Sequence, residues 1–429
     1  GRKEDSDVMV WETLVNLVCR PPRYIYDPDD VLGPKRFRID GRLFERVDVE
    51  VLNKRRQRLK CSHYLPVVEG QGRGSAGRVP CVIYCHGNCG SRVDASDCLD
   101  LLLPQNISVF AFDFSGSGLS DGETISLGYY EQEDLVAVIE YLRNSGLVSR
   151  IGLWGRSMGA ATAVLVAARD PSIAGMVLDS AFSSLTQVMQ ELANQYMKQV
   201  KLPKILINGA ISVLRKSVQK KGNFDIRDVN PEESADRSFI PALFAHADGD
   251  DFVLAHHSKH LYDRYSGDKN IITFGGDHNS PRPAFFFDSV GIFFHNVLME
   301  HPDLDLVPVV APPISDPGPP PAAPLYHVPA AKAAGEDRGW NQGQGRPGAP
   351  TAIAVAPRSP PAWGDSAAAA DAFSTALHSE GGLEAGEAGV MAALRSSLEE
   401  LEAELGPHDA NVQELRAMLE ARLAHPPRH

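Results

Sequence analysis

No apolar run in the chain approaches the roughly 18 residues that a membrane-spanning helix needs, so no such helix is expected. Nothing near the start resembles the apolar region of a secretory signal behind a basic segment. Cysteine is scarce: six in 429 residues cannot form a disulfide framework, and Cys81 and Cys85 fall inside an apolar, strand-like run. Buried thiols in a reducing, cytoplasmic setting are therefore expected. The spacing Cys81, Cys85, Cys89 lacks the paired CxxC knuckles of a zinc site, so neither metal nor cofactor is expected. A basic surplus is missing too. Against 55 Asp and Glu stand 42 Lys and Arg, a net charge of −13, the wrong sign for a nucleic-acid binder that must neutralise phosphates. What is present, 43% hydrophobic and 23% charged residues, is ordinary globular usage and allows a sizeable core.

That core is unevenly placed. Val8, Trp11, Leu14, Val15 and Val18 recur at helical spacing up to Cys19 and are stopped by Pro21-Pro22, predicting an amphipathic helix and lead-in over 1–45. From Arg46 the pattern alternates through Val47, Val49 and Val51, turns at Asn53-Lys54 and continues through Leu59 and Cys61, as a hairpin does. Strand-like and helical runs then follow in turn: Cys81–Cys85, Val93–Leu103, Val109–Phe112, Tyr129–Leu142, Ile151–Trp154, Met158–Ala168 and Met176–Leu178. This predicts an α/β domain over 46–306 with a mostly parallel sheet and helices on both faces. Between about 183 and 238 only helical patterns appear, carrying Leu185, Val188, Met189, Leu192, then Ile205, Leu206, Ile211, Val213 and Leu214, which predicts an inserted helical lid. Strand pattern returns at Ile240–Ala245 and Ile271–Phe274, and an aromatic helix over Ala284–Leu298 closes the domain. The stretch 307–386 is rich in Pro, Ala and Gly without hydrophobic period and reads as a disordered linker. Leu394, Leu398, Leu401 and Leu405, then Val412, Leu415, Leu419 and Leu423 beyond the Gly406-Pro407 break, predict a helical hairpin over 387–429 that is a candidate surface for a protein partner.

The segment Ile151 to Gly159 reads as a buried strand running into Gly155-Arg156-Ser157-Met158-Gly159 and then an Ala-rich helix. A G-x-S-x-G pentapeptide between strand and helix is a nucleophile elbow: glycines at 155 and 159 let the two backbones approach, and the sharp turn leaves the Ser157 hydroxyl exposed. A serine hydroxyl needs a base to take its proton, and the base needs an acid to hold its tautomer. Downstream, in the order acid then histidine, two strand-ending loops supply both: Ala247-Asp248-Gly249-Asp250-Asp251 and Gly275-Gly276-Asp277-His278-Asn279. Side chains in such loops reach the carboxyl edge of the sheet, where open α/β folds bind ligands. His278 is the base candidate, because His256, His257, His260 and His295 fall in helical stretches. Asp250 is the preferred acid, with Asp248, Asp251 and Asp179 as alternatives. Donors for a developing oxyanion are assigned to the N–H groups of Met158 and Asn88, with His86 and Gly87 shaping the second turn. The glycine-rich loop Asp113 to Ser120 lacks the Gly-Lys-Ser/Thr of a phosphate cradle and reads as a tight turn.

From about Val15 to Leu298 the chain resembles the α/β-hydrolases of the serine aminopeptidase-like and monoacylglycerol-lipase-like group, which includes the α/β-hydrolase-domain 17 depalmitoylases. Arg20-Pro21-Pro22-Arg23, Cys61-Ser62-His63-Tyr64-Leu65-Pro66, Tyr84-Cys85-His86-Gly87-Asn88, Gly155–Gly159 and Gly276-Asp277-His278-Asn279 resemble more narrowly an uncharacterised plant and protist branch. The resemblance implies an α/β-hydrolase fold with Ser157, Asp250 and His278 as its triad; Ala247 departs from the glycine of many relatives. The expected activity is hydrolysis of carboxylic esters or thioesters through an acyl-enzyme, on a small acyl substrate or an acylated protein. A peptidase or amidase in which Asp248 and Asp251 bind a substrate ammonium is the alternative within the same chemistry, and a non-catalytic scaffold is the alternative outside it. The apolar face of the first helix beside Arg20 and Arg23, with Arg215, Lys216, Lys220 and Lys221 in the lid, matches weak peripheral contact with an anionic membrane, although packing on the core is the stronger reading.

Overall fold

The computed structural model describes residues 15–16, 18–67, 77–199 and 214–299, with isolated positions between 395 and 420. Nine strands form one sheet in the order β1-β2-β3-β5-β4-β6-β7-β8-β9. They are β1 Arg36–Ile39, β2 Arg42–Leu52, β3 Arg58–Pro66, β4 Val79–Cys85, β5 Ser108–Phe112, β6 Val148–Arg156, β7 Gly175–Asp179, β8 Ala242–Ala247 and β9 Lys269–Phe274. The first three strands pair antiparallel, and β3 meets β5 antiparallel; from β5 through β9 every pairing is parallel. The predicted hairpin is thus β2 and β3, with Val49 opposite Cys61. The sheet begins at Arg36 rather than at residue 46: the alternation in β1 spans only four residues, and β1 and the start of β2 hold one another in place by pairing, with Phe37 opposite Phe44. In contrast β4, β5 and β7 are near-continuous apolar runs because helices cover both faces of a parallel sheet.

The helices that matter for the site are α1 Ser96–Leu102, α2 Glu131–Asn144, α3 Met158–Ala167, α4 Leu185–Gln199, α5 His256–Arg264 and α6 Ala284–Leu298. Every residue of α3 is buried, which its small side chains permit between the sheet and α2. On the opposite face α6 presents Phe286, Val290, Phe294 and Leu298 at four-residue spacing to Trp154 and Val177. Each such side chain contributes about 1.5–3 kcal/mol when fully buried.

In the inserted region, α4 turns Leu185, Val188, Met189 and Leu192 into the main core, and Leu214, at the start of helical residues 214–222, packs against it. Ile205 and Ile211 lie outside the described residues. So does most of the first helix, including Trp11 and Leu14; of its apolar face Val15 and Val18 are buried in the core. Among the cations beside it, Arg20 pairs with Glu123 and Arg23 donates to the carbonyls of Gly118 and Gly122; in the inserted region Arg215 pairs with Asp225, and Lys221 donates to Asn16 Oδ1. The stretch 307–386 lies outside the described residues. Of the C-terminal hairpin only isolated positions are described, among them an ion pair between Arg416 and Glu402 on either side of the Gly406-Pro407 break.

Candidate active site

Strand β6 runs directly into Ser157, and α3 starts at the next residue. Ser157 has φ +50° and ψ −115°, a backbone conformation that non-glycine residues rarely hold and that tertiary contacts must impose. Its N–H donates to the carbonyl of Asp179 at 2.8 Å, fastening the turn to the end of β7. The flanking glycines are required sterically. A Cβ on Gly155 would lie 2.5 Å from the Cα of Ala160, and one on Gly159 would overlap the carbonyl oxygen of Cys85. The sharp turn is as predicted, and Ser157 as a residue is 7% exposed.

Two loops at the carboxyl ends of β8 and β9 bring Asp250 and His278 to this serine. His278 Nε2 lies 3.1 Å from Ser157 Oγ, and His278 Nδ1 lies 2.6 Å from Asp250 Oδ2. With Nδ1–H donating to the carboxylate, the Nε2 lone pair is left to accept from the serine hydroxyl. The other Asp250 oxygen accepts the N–H groups of Phe252 and Val253 at 3.1 and 2.8 Å, fixing the carboxylate plane. Burial pushes the Asp250 carboxyl up, but hydrogen bonds from His246 and His278 outweigh it and hold the group well below the usual carboxylate range. His278 is placed through its backbone: Arg156 and Arg282 both donate to its carbonyl, at 3.0 and 3.3 Å, and the Phe252 ring packs 5.3 Å from the imidazole.

Among the alternative acids, Asp248 and Asp251 are exposed on the loop while Asp250 is buried. Asp179 is buried too, but a bidentate pair of 2.9 Å bonds from Arg282 consumes both its oxygens. Its carboxyl is held low by Arg282 against the upward push of burial. Of the other histidines, His256, His257, His260 and His295 are helical, in α5 and α6. Sequence reasoning missed Arg282 and His246. His246 sits in β8 between two alanines, with Nε2 2.8 Å from Val253 O and 3.3 Å from Asp250 Oδ2, so it braces the acid from behind. A histidine inside an otherwise apolar strand was the available signal.

Across from the histidine, the loop after β4 lies against the elbow: a Cβ on Gly87 would sit 3.7 Å from Ser157 Cβ. His86 shapes this turn, donating from Nδ1 to Gly87 O at 2.7 Å and accepting the Phe114 N–H on Nε2 at 3.0 Å. Asn88 follows, its Oδ1 accepting the N–H of Cys89. Met158 opens α3, where the first N–H groups of a helix have no partner within it. The 113–120 loop is held by Asp113, which accepts from Tyr26 Oη, Arg92 N and Leu119 N at 2.7, 2.7 and 2.8 Å. All six cysteines are free and buried, and burial pushes Cys81 and Cys89 up to about 12, so neither offers a thiolate near neutral pH.

The comparisons with known proteins agree with this architecture. A sequence model of the family described as alpha/beta hydrolase fold matches residues 80–202, from β4 through the elbow into the inserted region. The chain is 29% identical over 204 residues to the uncharacterized protein YqkD of Bacillus subtilis, covering 46% of this chain and 64% of that protein. It is 27% identical over 261 residues to the uncharacterized protein YfhR of Escherichia coli K12, covering 59% of this chain and 79% of that one. The solved esterase Pf2001 of Pyrococcus furiosus superposes with a TM-score of 0.50 at 22% identity, over 66% of this chain and 99% of its own. The chain has the α/β-hydrolase fold. Among the described residues no helix is long and apolar enough to cross a membrane.

Proposed function

We propose that the protein is a serine hydrolase that cleaves carboxylic ester or thioester bonds through an acyl-enzyme. The observation that carries this reading is the continuous hydrogen-bonded chain from Asp250 through His278 to a serine held at positive φ. In the first half-reaction Ser157 Oγ attacks the acyl carbon and its proton passes to His278 Nε2. Asp250 keeps the imidazole in the Nδ1–H tautomer and stabilises the imidazolium. The negative oxygen of the tetrahedral intermediate takes hydrogen bonds from the N–H groups of Met158 and Asn88. Collapse expels the alcohol or thiol, which leaves with the proton from His278. Water then repeats the sequence on the acyl-enzyme, delivering a proton to His278 and releasing the carboxylic acid while Ser157 regains its hydrogen.

Leu192 is packed in the core and Leu214 against it, so these two side chains of the inserted region offer no wall for an acyl-chain pocket. Ester, thioester and amide substrates are separated by assay. A fluorophosphonate probe is expected to label Ser157 in the native chain and not in Ser157→Ala, and p-nitrophenyl ester or acyl-thioester turnover is expected to exceed that of aminoacyl anilides. No labelling at Ser157 would favour the scaffold reading; faster anilide cleavage would favour the peptidase.

A further inference from the structure

Four polar side chains outside the Asp250–His278–Ser157 chain converge where α4 meets the start of α5. Glu191 Oε1 lies 3.0 Å from His256 Nε2, and Glu191 Oε2 lies 2.9 Å from His257 Nε2. Gln187, one turn before Glu191, places its amide 2.9 Å from Glu191 Oε1 and 3.0 Å from His256 Nε2. The imidazoles of His256 and His257 stack with centroids 4.5 Å apart, which aims both Nε2 atoms at the same carboxylate. One donor atom from each of Glu191, His256 and His257 lies within 4.8 Å of the other two. Among the described residues no lysine or arginine pairs with Glu191, whose ionic partners are these two imidazoles.

We propose that Glu191, His256 and His257 form a binding site for a divalent cation of the zinc class, which when bound ties α4 of the inserted region to α5. Two imidazoles and one carboxylate are a donor set that zinc accepts in tetrahedral geometry. Bonds of about 2.0–2.1 Å place tetrahedral ligand atoms roughly 3.3 Å apart; the two Glu191–histidine contacts, at 3.0 and 2.9 Å, run to different carboxylate oxygens, so the ion requires a small turn of the carboxylate and imidazoles about a shared centre. His257 Nδ1 lies 2.9 Å from Ser183 Oγ, the outer partner to which a ligating histidine donates its second N–H. That arrangement gives up the 3.3 Å bond from the Ser183 N–H to the same nitrogen. His257 is buried, whereas the side chains of His256 and Glu191 are 36% and 20% exposed, so the cation has a path from solvent. The fourth position falls to water or to Gln187 with its amide oxygen turned inward, since oxygen and nitrogen exchange by a simple flip.

The test uses the full chain after chelator treatment, titrated with zinc alone. One equivalent is expected to bind saturably and to raise Tm, because an ion that binds only the folded chain stabilises it. Glu191→Gln and His256→Gln are expected to weaken that binding at least about tenfold, as the loss of a ligand does. Cobalt(II) on the native chain gives a measurement that needs no variant. An intense tetrahedral visible spectrum supports the site. A weak octahedral spectrum, the absence of saturable zinc binding, or binding undiminished in both variants overturns it.

Discussion

Strands β7 and β8 lie side by side, and each leads to a buried aspartate, yet the two carboxylates do different work. Asp179 faces Arg282, whose guanidinium stays charged at any physiological pH and grips both oxygens in a fork. Asp250 faces the imidazole of His278, a neutral ring with one nitrogen to donate and one to accept. Both carboxyls are held below their ordinary value against burial, so neither burial nor a low pKa distinguishes them. The partner does. A permanent cation makes a brace, and in the proposed mechanism an imidazole makes an acid–base relay. The brace nevertheless serves the relay, because Arg282 also donates to the carbonyl of His278.

This contrast can be broken by mutation. The largest effect is expected at the serine that both loops surround: Ser157→Ala should lower turnover by about four to six orders of magnitude, leaving only binding and oxyanion contributions. Retention of more than a few per cent of the native rate would remove Ser157 from the mechanism. Asp250→Asn should lower turnover by about four orders, since an amide neither holds the Nδ1–H tautomer nor stabilises imidazolium. Denaturant unfolding should meanwhile show a modest loss of stability.

Asp179→Asn should invert that pattern. Leaving the Arg282 charge buried without its carboxylate is expected to cost about 3–5 kcal/mol in unfolding experiments, with a smaller loss of turnover through displacement of His278. If Asp179→Asn proved the more damaging to turnover and Asp250→Asn the more damaging to stability, the roles assigned here would have to be exchanged.

The pH dependence of stability sharpens the comparison. Both folded carboxyls titrate below their unfolded values, so the stability they supply is fully present above about pH 4 and is lost as pH falls through the folded values. Arg282→Met removes the guanidinium that grips both oxygens of Asp179 and lies at longer range from Asp250. Burial then dominates, the Asp179 carboxyl rises, and the acid-unfolding midpoint should move to higher pH, as followed by circular dichroism. An unchanged midpoint would mean that the pair contributes nothing to acid stability. The smallest effect is expected at the exposed neighbours: Asp248→Asn and Asp251→Asn should alter turnover on a neutral ester by less than about threefold, as surface substitutions generally do.

Much of this site was legible because its constraints are local. The crossing of β6 and α3 requires glycine at 155 and 159 whatever the rest of the molecule does, so the pentapeptide announced both the turn and the residue at its apex. Continuous apolar runs at β4, β5 and β7 marked buried parallel strands, and the four-residue spacing of Phe286, Val290, Phe294 and Leu298 marked α6. The edge strand β1 was not legible, because two alternations over four residues are too short a run to stand out as a strand.

By itself, then, the sequence determined the alternation of strands and helices, the strained serine and the order in which acid and histidine follow it, because side-chain periodicity and backbone sterics act between near neighbours. Only the tertiary structure decided which of four aspartates faces His278. Asp248, Asp250 and Asp251 share one loop and one chemistry, and a change of one residue reverses which side of the loop a side chain occupies. Only the fold, likewise, joined Arg282 to Asp179 and Glu191 to His256 and His257. Those partners are far apart in sequence, and no local pattern records a contact that exists only once the sheet has brought its strand ends together.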